Sequence, residues 1–167
     1  MVFKEMYKAV ILFDSLFGNT KNVAEFIGNG LREYDIEVDL IHINKVEKKI
    51  LLDYDFIAIG GPTHRIGISK DMKMFLKGLE NTKLKNIKGF SFDTRIHSKM
   101  NKKSWLMFEN SAARRIERKL KKMKVKIIKP RESAIVLGRE GPLEDGVEKK
   151  FVQIGRELGH LLNTNFS

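Results

Sequence analysis

The chain has 167 residues, of which 42% are hydrophobic, and this is enough for one domain with a buried core. It contains no cysteine, which excludes disulfides, thiolate nucleophiles and iron–sulfur clusters. Any redox chemistry therefore requires an organic cofactor or a metal held by other ligands. Because 32 Lys and Arg residues stand against 21 Asp and Glu residues, the net charge is +11, which favours acidic partners.

Short apolar runs alternate with amphipathic segments along the whole chain. The predicted strands are residues 9–14, 36–43, 56–60, 87–92 and an interrupted fifth, 125–128 with 133–137, in which Pro130 predicts an edge position with a bulge or kink. Helical spacing of apolar residues predicts helices after residue 20, from about Ser69, from about Ser111 and from near Glu144. This alternation predicts an α/β fold, a doubly wound five-stranded parallel sheet of order 2-1-3-4-5 with helices on both faces.

The apolar run at residues 9–13 is short and ends at Asp14, so it predicts a core strand and not a signal peptide or a membrane span. We therefore expect a cytoplasmic protein without membrane insertion. In the predicted fold, ligands bind beyond the carboxyl ends of the strands. The loops at residues 14–20, 61–69 and 93–110 are the expected site.

The first of these loops has the chemistry of a phosphate cradle. Hydroxyl and amide side chains offer hydrogen bonds, a glycine allows close approach of the backbone, and the free N–H groups of a helix N-terminus attract anions. An ordinary capped strand-to-helix turn is the alternative. The loop resembles the flavodoxin signature Ser/Thr-x-Thr/Phe-Gly-Asn-Thr, which holds the 5′-phosphate of FMN. The resemblance implies that the phosphate is bound by Ser15, Leu16, Phe17, Gly18, Asn19 and Thr20.

The second loop contains Gly61, Pro62 and Thr63, and it is similar to the Gly-x-Pro-Thr loop that lies against the flavin ring in flavodoxins. His64 stands where many relatives have an aromatic ring, and Arg65 stands where a glycine often follows. The resemblance implies that residues 62–65 contact the flavin, with Arg65 placing a cation near the ring. An exposed loop histidine is the alternative for His64.

The third loop begins with Asp93, Thr94 and Arg95, and a similar stretch follows strand four in a group of prokaryotic flavodoxin-like proteins. The resemblance implies contacts with the pyrimidine edge of the flavin. This loop has no tyrosine, so Trp105 or His97 is expected to supply a stacking ring. The alternatives are a strand-end turn at residues 93–94 and a Trp105 that packs on a helix. Residues 111–117 and 140–146 are also similar, so the resemblance covers nearly the whole chain.

A basic run lies on the helix predicted from Ser111, between Arg114 and Lys126. It is either a solvated helix face or a binding surface for an acidic protein or a nucleic acid. No aromatic residue interrupts the run, which disfavours single-stranded nucleic acid. The four histidines, His42, His64, His97 and His160, are far apart in sequence, and no two of them have the spacing of metal ligands.

Taken together, residues 1–167 are identified as a single flavodoxin-like domain that binds FMN and shuttles electrons between redox partners. The expected partner is an acidic ferredoxin or reductase, a monomer is favoured, and neither catalytic residues nor a metal are assigned. One alternative is a flavin-dependent NAD(P)H or quinone reductase, or a menaquinone-coupled protoporphyrinogen oxidase. The other is a basic binding module that has lost FMN.

Overall fold

The computed structural model of the protein describes residues 6–64, 67–96 and 111–164. Strands and helices alternate along these residues, with a short 3-10 helix at Lys48–Asp53. The strands are β1 (Lys8–Phe13), β2 (Glu37–His42), β3 (Phe56–Pro62), β4 (Lys88–Ile96), β5 (Lys126–Ile127) and β6 (Glu132–Val136). The α-helices are α1 (Asn19–Arg32), α2 (Lys70–Leu79), α3 (Ala112–Lys122) and α4 (Val147–Thr164).

All strand pairs in the described sheet are parallel, and the order is β2-β1-β3-β4-β5. The predicted order 2-1-3-4-5 is confirmed. β6 also pairs with β4, beside residues 92–96, while β5 pairs beside residues 88–89. β5 and β6 therefore divide the fifth position of the sheet between them, and Pro130 lies in the interruption. This agrees with the interrupted edge strand predicted from the sequence.

Alternate residues of the central strands point to opposite faces of the sheet, so each face has its own core. On one face, Ile11 and Phe90 pack with the apolar sides of α1 and α4. On the other face, Leu12 and Ile59 pack with α2 and α3. Because both faces are covered, β1 from Ala9 onwards and β3 are continuously apolar and not alternately polar, whereas β4 also buries Ser91, Asp93 and Thr94.

α1 and α4 cross at very close range, and small residues make this possible. A Cβ atom added to Gly30 would lie 2.2 Å from the carbonyl oxygen of Val152, and one added to Gly155 would lie 2.2 Å from that of Ile27. Real Cβ atoms do not approach backbone atoms so closely. Glycine at both positions therefore sets the distance between these two helices.

The structure corrects one boundary that bears on the site. The sequence predicts that strand four ends at Phe92 and that a loop begins at Asp93, but β4 continues to Ile96. The reason is pairing, since β3 holds residues 93 and 94 on one side and β6 holds residues 93–96 on the other. Asp93 and Thr94 are consequently strand residues and not loop residues.

In the described parts of the chain, no helix is long and apolar enough to cross a membrane.

Candidate functional site

A cavity of about 180 Å³ opens at the edge of the sheet where β1, β3, β4 and β6 end. In doubly wound folds, ligands bind at this edge, beyond the carboxyl ends of the strands. Three segments far apart in sequence surround the cavity, together with the loop that follows β6. Its lining residues are Ser15, Leu16, Phe17, Asn19, Thr20, Pro62, Thr63, His64, Thr94, Arg95, Ile96, Val136, Gly138 and Arg139.

The loop between β1 and α1 has its backbone amides drawn towards a central hydroxyl. Ser15 Oγ accepts hydrogen bonds from the N–H groups of Gly18 at 3.1 Å and of Lys21 at 3.4 Å. Gly18 has a φ of +90°, a left-handed conformation that favours glycine, and a Cβ atom there would meet nothing within 4 Å. The Ser15 hydroxyl therefore ties the loop to the start of α1, and the Cα atom of Gly18 faces open space.

The N-terminus of α1 differs from those of α2 and α3 in how its backbone amides are satisfied. Ser69 caps α2 and Ser111 caps α3, each through a side-chain oxygen that accepts a backbone N–H. The N-cap residue of α1, Gly18, has no side chain to cap the helix, so among the described residues the only help comes from Ser15 Oγ, which accepts the N–H of Lys21; the first turn carries no acidic side chain. The partial positive charge of this helix end is thus left to attract an anion.

A pair of buried hydroxyls joins this helix to β4. The Oγ1 atoms of Thr20 and Thr94 lie 2.9 Å apart, and the two residues are 2% and 4% exposed. Each hydroxyl has a single proton, so only one of the two donates in this pair. If Thr94 donates, the proton of Thr20 is free for a ligand in the cavity.

Asp93 is fully buried beneath the cavity and connects three segments. Its Oδ2 atom accepts hydrogen bonds from Thr63 Oγ1 at 2.8 Å and from the N–H of Ala113 at 3.1 Å. Thr63 Oγ1 in turn accepts the N–H of Ala112 at 2.9 Å. Asp93 Oδ1 has no hydrogen-bond partner among the described residues. Asp93 therefore fixes the start of α3 against the end of β3, which places it as a support of the cavity wall.

The segment after β3 is held by its backbone. The N–H of Thr63 donates to the carbonyl oxygen of Thr94 at 2.8 Å, which continues the β3–β4 pairing beyond the strand. His64 and Gly67 then exchange two backbone hydrogen bonds, of 2.6 and 2.9 Å. These bonds hold His64 beside Gly67, and His64 lies on the cavity wall.

The structure brings most of the candidate residues together. All the candidates from residues 15–20 except Gly18 line the cavity, and so do Pro62, Thr63, His64, Thr94 and Arg95. Gly18 lies within the same loop, and Asp93 lies below the wall. Arg65, Trp105 and His97 lie outside the described residues.

Sequence reasoning missed one side of the cavity. Val136, Gly138 and Arg139 line it at the end of β6, and Ile96 does so at the end of β4. A Cβ atom on Gly141 would lie 3.0 Å from Asn19 Oδ1, so this loop also touches the start of α1. The topology could have revealed the loop, because all carboxyl ends of parallel strands meet at one edge.

The described residues contain no group of three or more His, Asp or Glu side chains that could hold a metal ion. His42 packs edge-on against the ring of Phe13, with ring centroids 5.6 Å apart. His160 contacts Tyr34 in the same manner, at 6.3 Å. Both of these imidazoles therefore serve in packing.

The fold and the cavity define a doubly wound α/β protein with an anion-attracting helix end at its ligand edge. A family model described as Flavodoxin matches residues 11–154. The chain belongs to the flavodoxin family, whose members bind FMN and transfer electrons.

Individual relatives agree with this assignment. "Probable flavodoxin 1" of Bacillus subtilis (strain 168) is 31% identical over 88 residues, which cover 52% of this chain and 56% of that protein. The chain spans about half the length of the curated relatives it matches. Oxidised flavodoxin 1 of Bacillus cereus superposes with a TM-score of 0.73 at 25% identity, covering 90% of this chain and 95% of the other. A flavodoxin from the domain Archaea gives a TM-score of 0.73 at 21% identity, with 92% and 96% covered, and shows the fold alone.

Proposed function

We propose that this protein binds one FMN in the described cavity and carries electrons between redox proteins. The observation that supports this best is the start of α1, where Gly18 supplies no side-chain cap and the first turn carries no acidic side chain, beside the hydroxyls of Ser15 and Thr20. A helix N-terminus beside a short loop and nearby hydroxyls is suited to a phosphate group. FMN supplies the electron chemistry when it is bound, and the protein binds, orients and shields it.

The residues present fit the phosphate of FMN. Asn19 and Thr20 stand at the helix start, Ser15 gathers the amides of the loop, and the space beside Gly18 is open. The oxygens of a dianionic phosphate only accept hydrogen bonds, so a bound dianion orients Thr94 as donor to Thr20 and Thr20 as donor to the phosphate. The pair at 2.9 Å therefore forms a short relay of hydroxyls behind the anion.

The ring of FMN would lie towards Pro62, His64 and Thr94, with Ile96 and Val136 on the apolar part of the wall. Arg65 and Trp105 remain predictions for this part of the site. The cavity of about 180 Å³ is smaller than the about 300–1,000 Å³ of typical small-molecule sites. An electron carrier suits such a site, because its cofactor must keep one edge accessible to a partner.

Further parts of the proposal extend the family assignment. We propose that residues 1–167 act as one domain, that the chain works in the cytoplasm as a monomer, and that its partner is an acidic ferredoxin or reductase. The net charge of +11 supports an acidic partner, because long-range attraction accelerates the encounter of oppositely charged proteins.

The experiment that tests the carrier role measures the oxidation of NADPH and NADH by the FMN-loaded protein, alone and with a ferredoxin reductase. In the absence of oxygen, we expect the reductase alone to oxidise no more nucleotide than is needed to reduce the bound FMN, and continued oxidation only when a terminal acceptor protein is also present. Rapid oxidation of either nucleotide by the protein alone would instead identify a flavin-dependent reductase. Failure of the loaded protein to pass electrons to any acceptor would contradict the carrier role.

A further inference from the structure

The outer side of α3 is unusual in its charge. Four of its eleven residues are exposed, and all four are cationic: Arg115, Arg118, Lys121 and Lys122. Lys124 and Lys126 continue the row of exposed cations towards β5. These six residues form what we call the cationic face. The buried side of the helix is apolar apart from Glu117, so the cations of α3 lie on its solvent side.

Few acidic side chains of the described residues lie near this face. The pKa of Glu80 is lowered chiefly by its hydrogen bond to Lys119 and also by the charge of Lys122, but Glu80 is ion-paired with Lys119, which lies outside the face. Within the described residues, Lys121 is its one member with an ion pair, at 3.2 Å from Glu117. Glu117 is nearly buried and also binds Arg131, so its single charge is shared between two cations. Like charges three or four residues apart destabilise a helix. Lys121 and Lys122 lie in the last turn, where the helix dipole favours cations, but the mutual repulsion of the row still opposes the fold and would be relieved by an anionic partner.

The cationic face begins at the rim of the proposed FMN site. A Cβ atom on Gly67 would lie 2.6 Å from Arg115 Nε, so the Arg115 side chain lies against Gly67, which is hydrogen-bonded to His64 on the cavity wall. The first residue of α3, Ala112, is hydrogen-bonded to Thr63 on that same wall. The helix is about 16 Å long at about 1.5 Å per residue, so a protein seated on it also reaches the cavity.

We propose that the cationic face is the docking surface for an acidic redox protein, which exchanges electrons with FMN while seated along α3. This inference rests on the proposed function and adds the location and chemistry of the contact. Residues 111–126 contain no aromatic side chain for base stacking. The lack of stacking residues disfavours single-stranded nucleic acid, and a face that starts at the redox site fits an acidic redox protein.

The first test is independent of FMN. A carbodiimide joins lysine amines to carboxylates at direct contact, and a plant-type ferredoxin serves as the acidic probe. We expect cross-links from the ferredoxin to Lys121, Lys122 or Lys124, and their loss at high salt. Cross-links concentrated on lysines outside residues 111–126 would overturn the proposal. Because the protein need not hold FMN here, a failure of FMN binding leaves this result readable.

The second test uses the FMN-loaded protein and a matched pair of variants. R118E/K122E reverses two charges on the cationic face, and K45E/K49E reverses two exposed charges near β2 at the opposite edge of the sheet. With reduced ferredoxin at low ionic strength, we expect R118E/K122E to lower the second-order rate constant at least about tenfold, and K45E/K49E less than about threefold. Circular dichroism and FMN affinity should match the parent in both variants.

Two outcomes would contradict the proposal. Equal slowing by both variants would show that net charge matters and that the face does not. Binding of duplex or single-stranded nucleic acid that R118E/K122E abolishes, with ferredoxin reactivity unchanged, would assign the face to nucleic acid instead.

Discussion

The buried hydroxyl pair allows the structural and the ligand-binding roles of one residue to be separated. Thr20→Val removes a hydroxyl with little change of shape and leaves the Thr94 hydroxyl, 2.9 Å away, without its partner. The double variant T20V/T94V removes both hydroxyls and leaves no unpaired group behind. The two variants should therefore differ in stability while agreeing in their loss of a phosphate contact.

The expected magnitudes follow from the burial of the pair. A buried polar group left without a hydrogen bond costs about 1–3 kcal/mol, so Thr20→Val should lower the free energy of unfolding by this amount, whereas T20V/T94V should be within about 1 kcal/mol of the parent. A hydrogen bond to a charged group contributes about 1.5–3 kcal/mol. Both variants should therefore weaken FMN binding about 10- to 150-fold.

Two assays measure these effects separately. Urea denaturation of the protein without flavin gives the free energies of unfolding, and quenching of flavin fluorescence gives the dissociation constants. Riboflavin, which lacks the phosphate, is the control ligand, and its affinity should be the same in all three proteins. Equal loss of FMN and riboflavin affinity would refute the assignment of Thr20 to the phosphate. A double variant as unstable as Thr20→Val would refute the reasoning about the pair.

Three other predictions follow from particular contacts. Gly30→Ala should destabilise the fold by about 2–4 kcal/mol in thermal or urea denaturation, because the added Cβ atom forces α1 and α4 apart. In the control variant Gly28→Ala, the Cβ atom would meet side chains no closer than 3.4 Å, so the stability should be unchanged or higher by up to about 1 kcal/mol. Equal effects of the two substitutions would contradict the close crossing. Asp93→Ala should lower the free energy of unfolding by about 2–4 kcal/mol in urea denaturation, because the N–H of Ala113 loses its acceptor. The control variant Asp71→Ala removes an exposed carboxylate in the first turn of α2 and should lower it by less than about 1 kcal/mol. An Asp93→Ala variant as stable as the parent would exclude the supporting role. Arg139→Gln should make the midpoint potential of bound FMN more negative by about 20–60 mV in a reductive titration. The reason is that reduced flavin carries more negative charge than oxidised flavin, so a cation beside the cavity stabilises the reduced form. An unchanged potential would show that Arg139 is too far from the ring.

Features that depend on neighbours in sequence could be predicted well. The apolar runs of β1 and β3 and the helical spacing of α1 and α2 are local patterns, and Ser69 marks the start of α2 through its cap. The alternation of these elements indicates a doubly wound sheet, and 2-1-3-4-5 is the common order of the flavodoxin-like form of that fold. The loop of residues 15–20 could also be placed, because a strand, a glycine and a helix start follow one another directly.

Features that depend on pairing between distant segments could not be predicted. The extension of β4 through Asp93 to Ile96 requires β6 beside it, some forty residues later in the chain. Burial of Asp93 follows from that pairing, and no local pattern distinguishes it from a strand-end turn. The contribution of Val136 and Arg139 to the cavity was missed because the fifth strand is interrupted and its end carries no recognised motif.

The central claim is that this chain holds one FMN at the end of its sheet. The most direct measurement is the absorbance spectrum of the purified protein after FMN has been added and the excess removed by gel filtration. The account predicts one bound FMN per chain, with a perturbed flavin spectrum, and markedly less flavin retained by Thr20→Val. A colourless protein at micromolar concentration would contradict it.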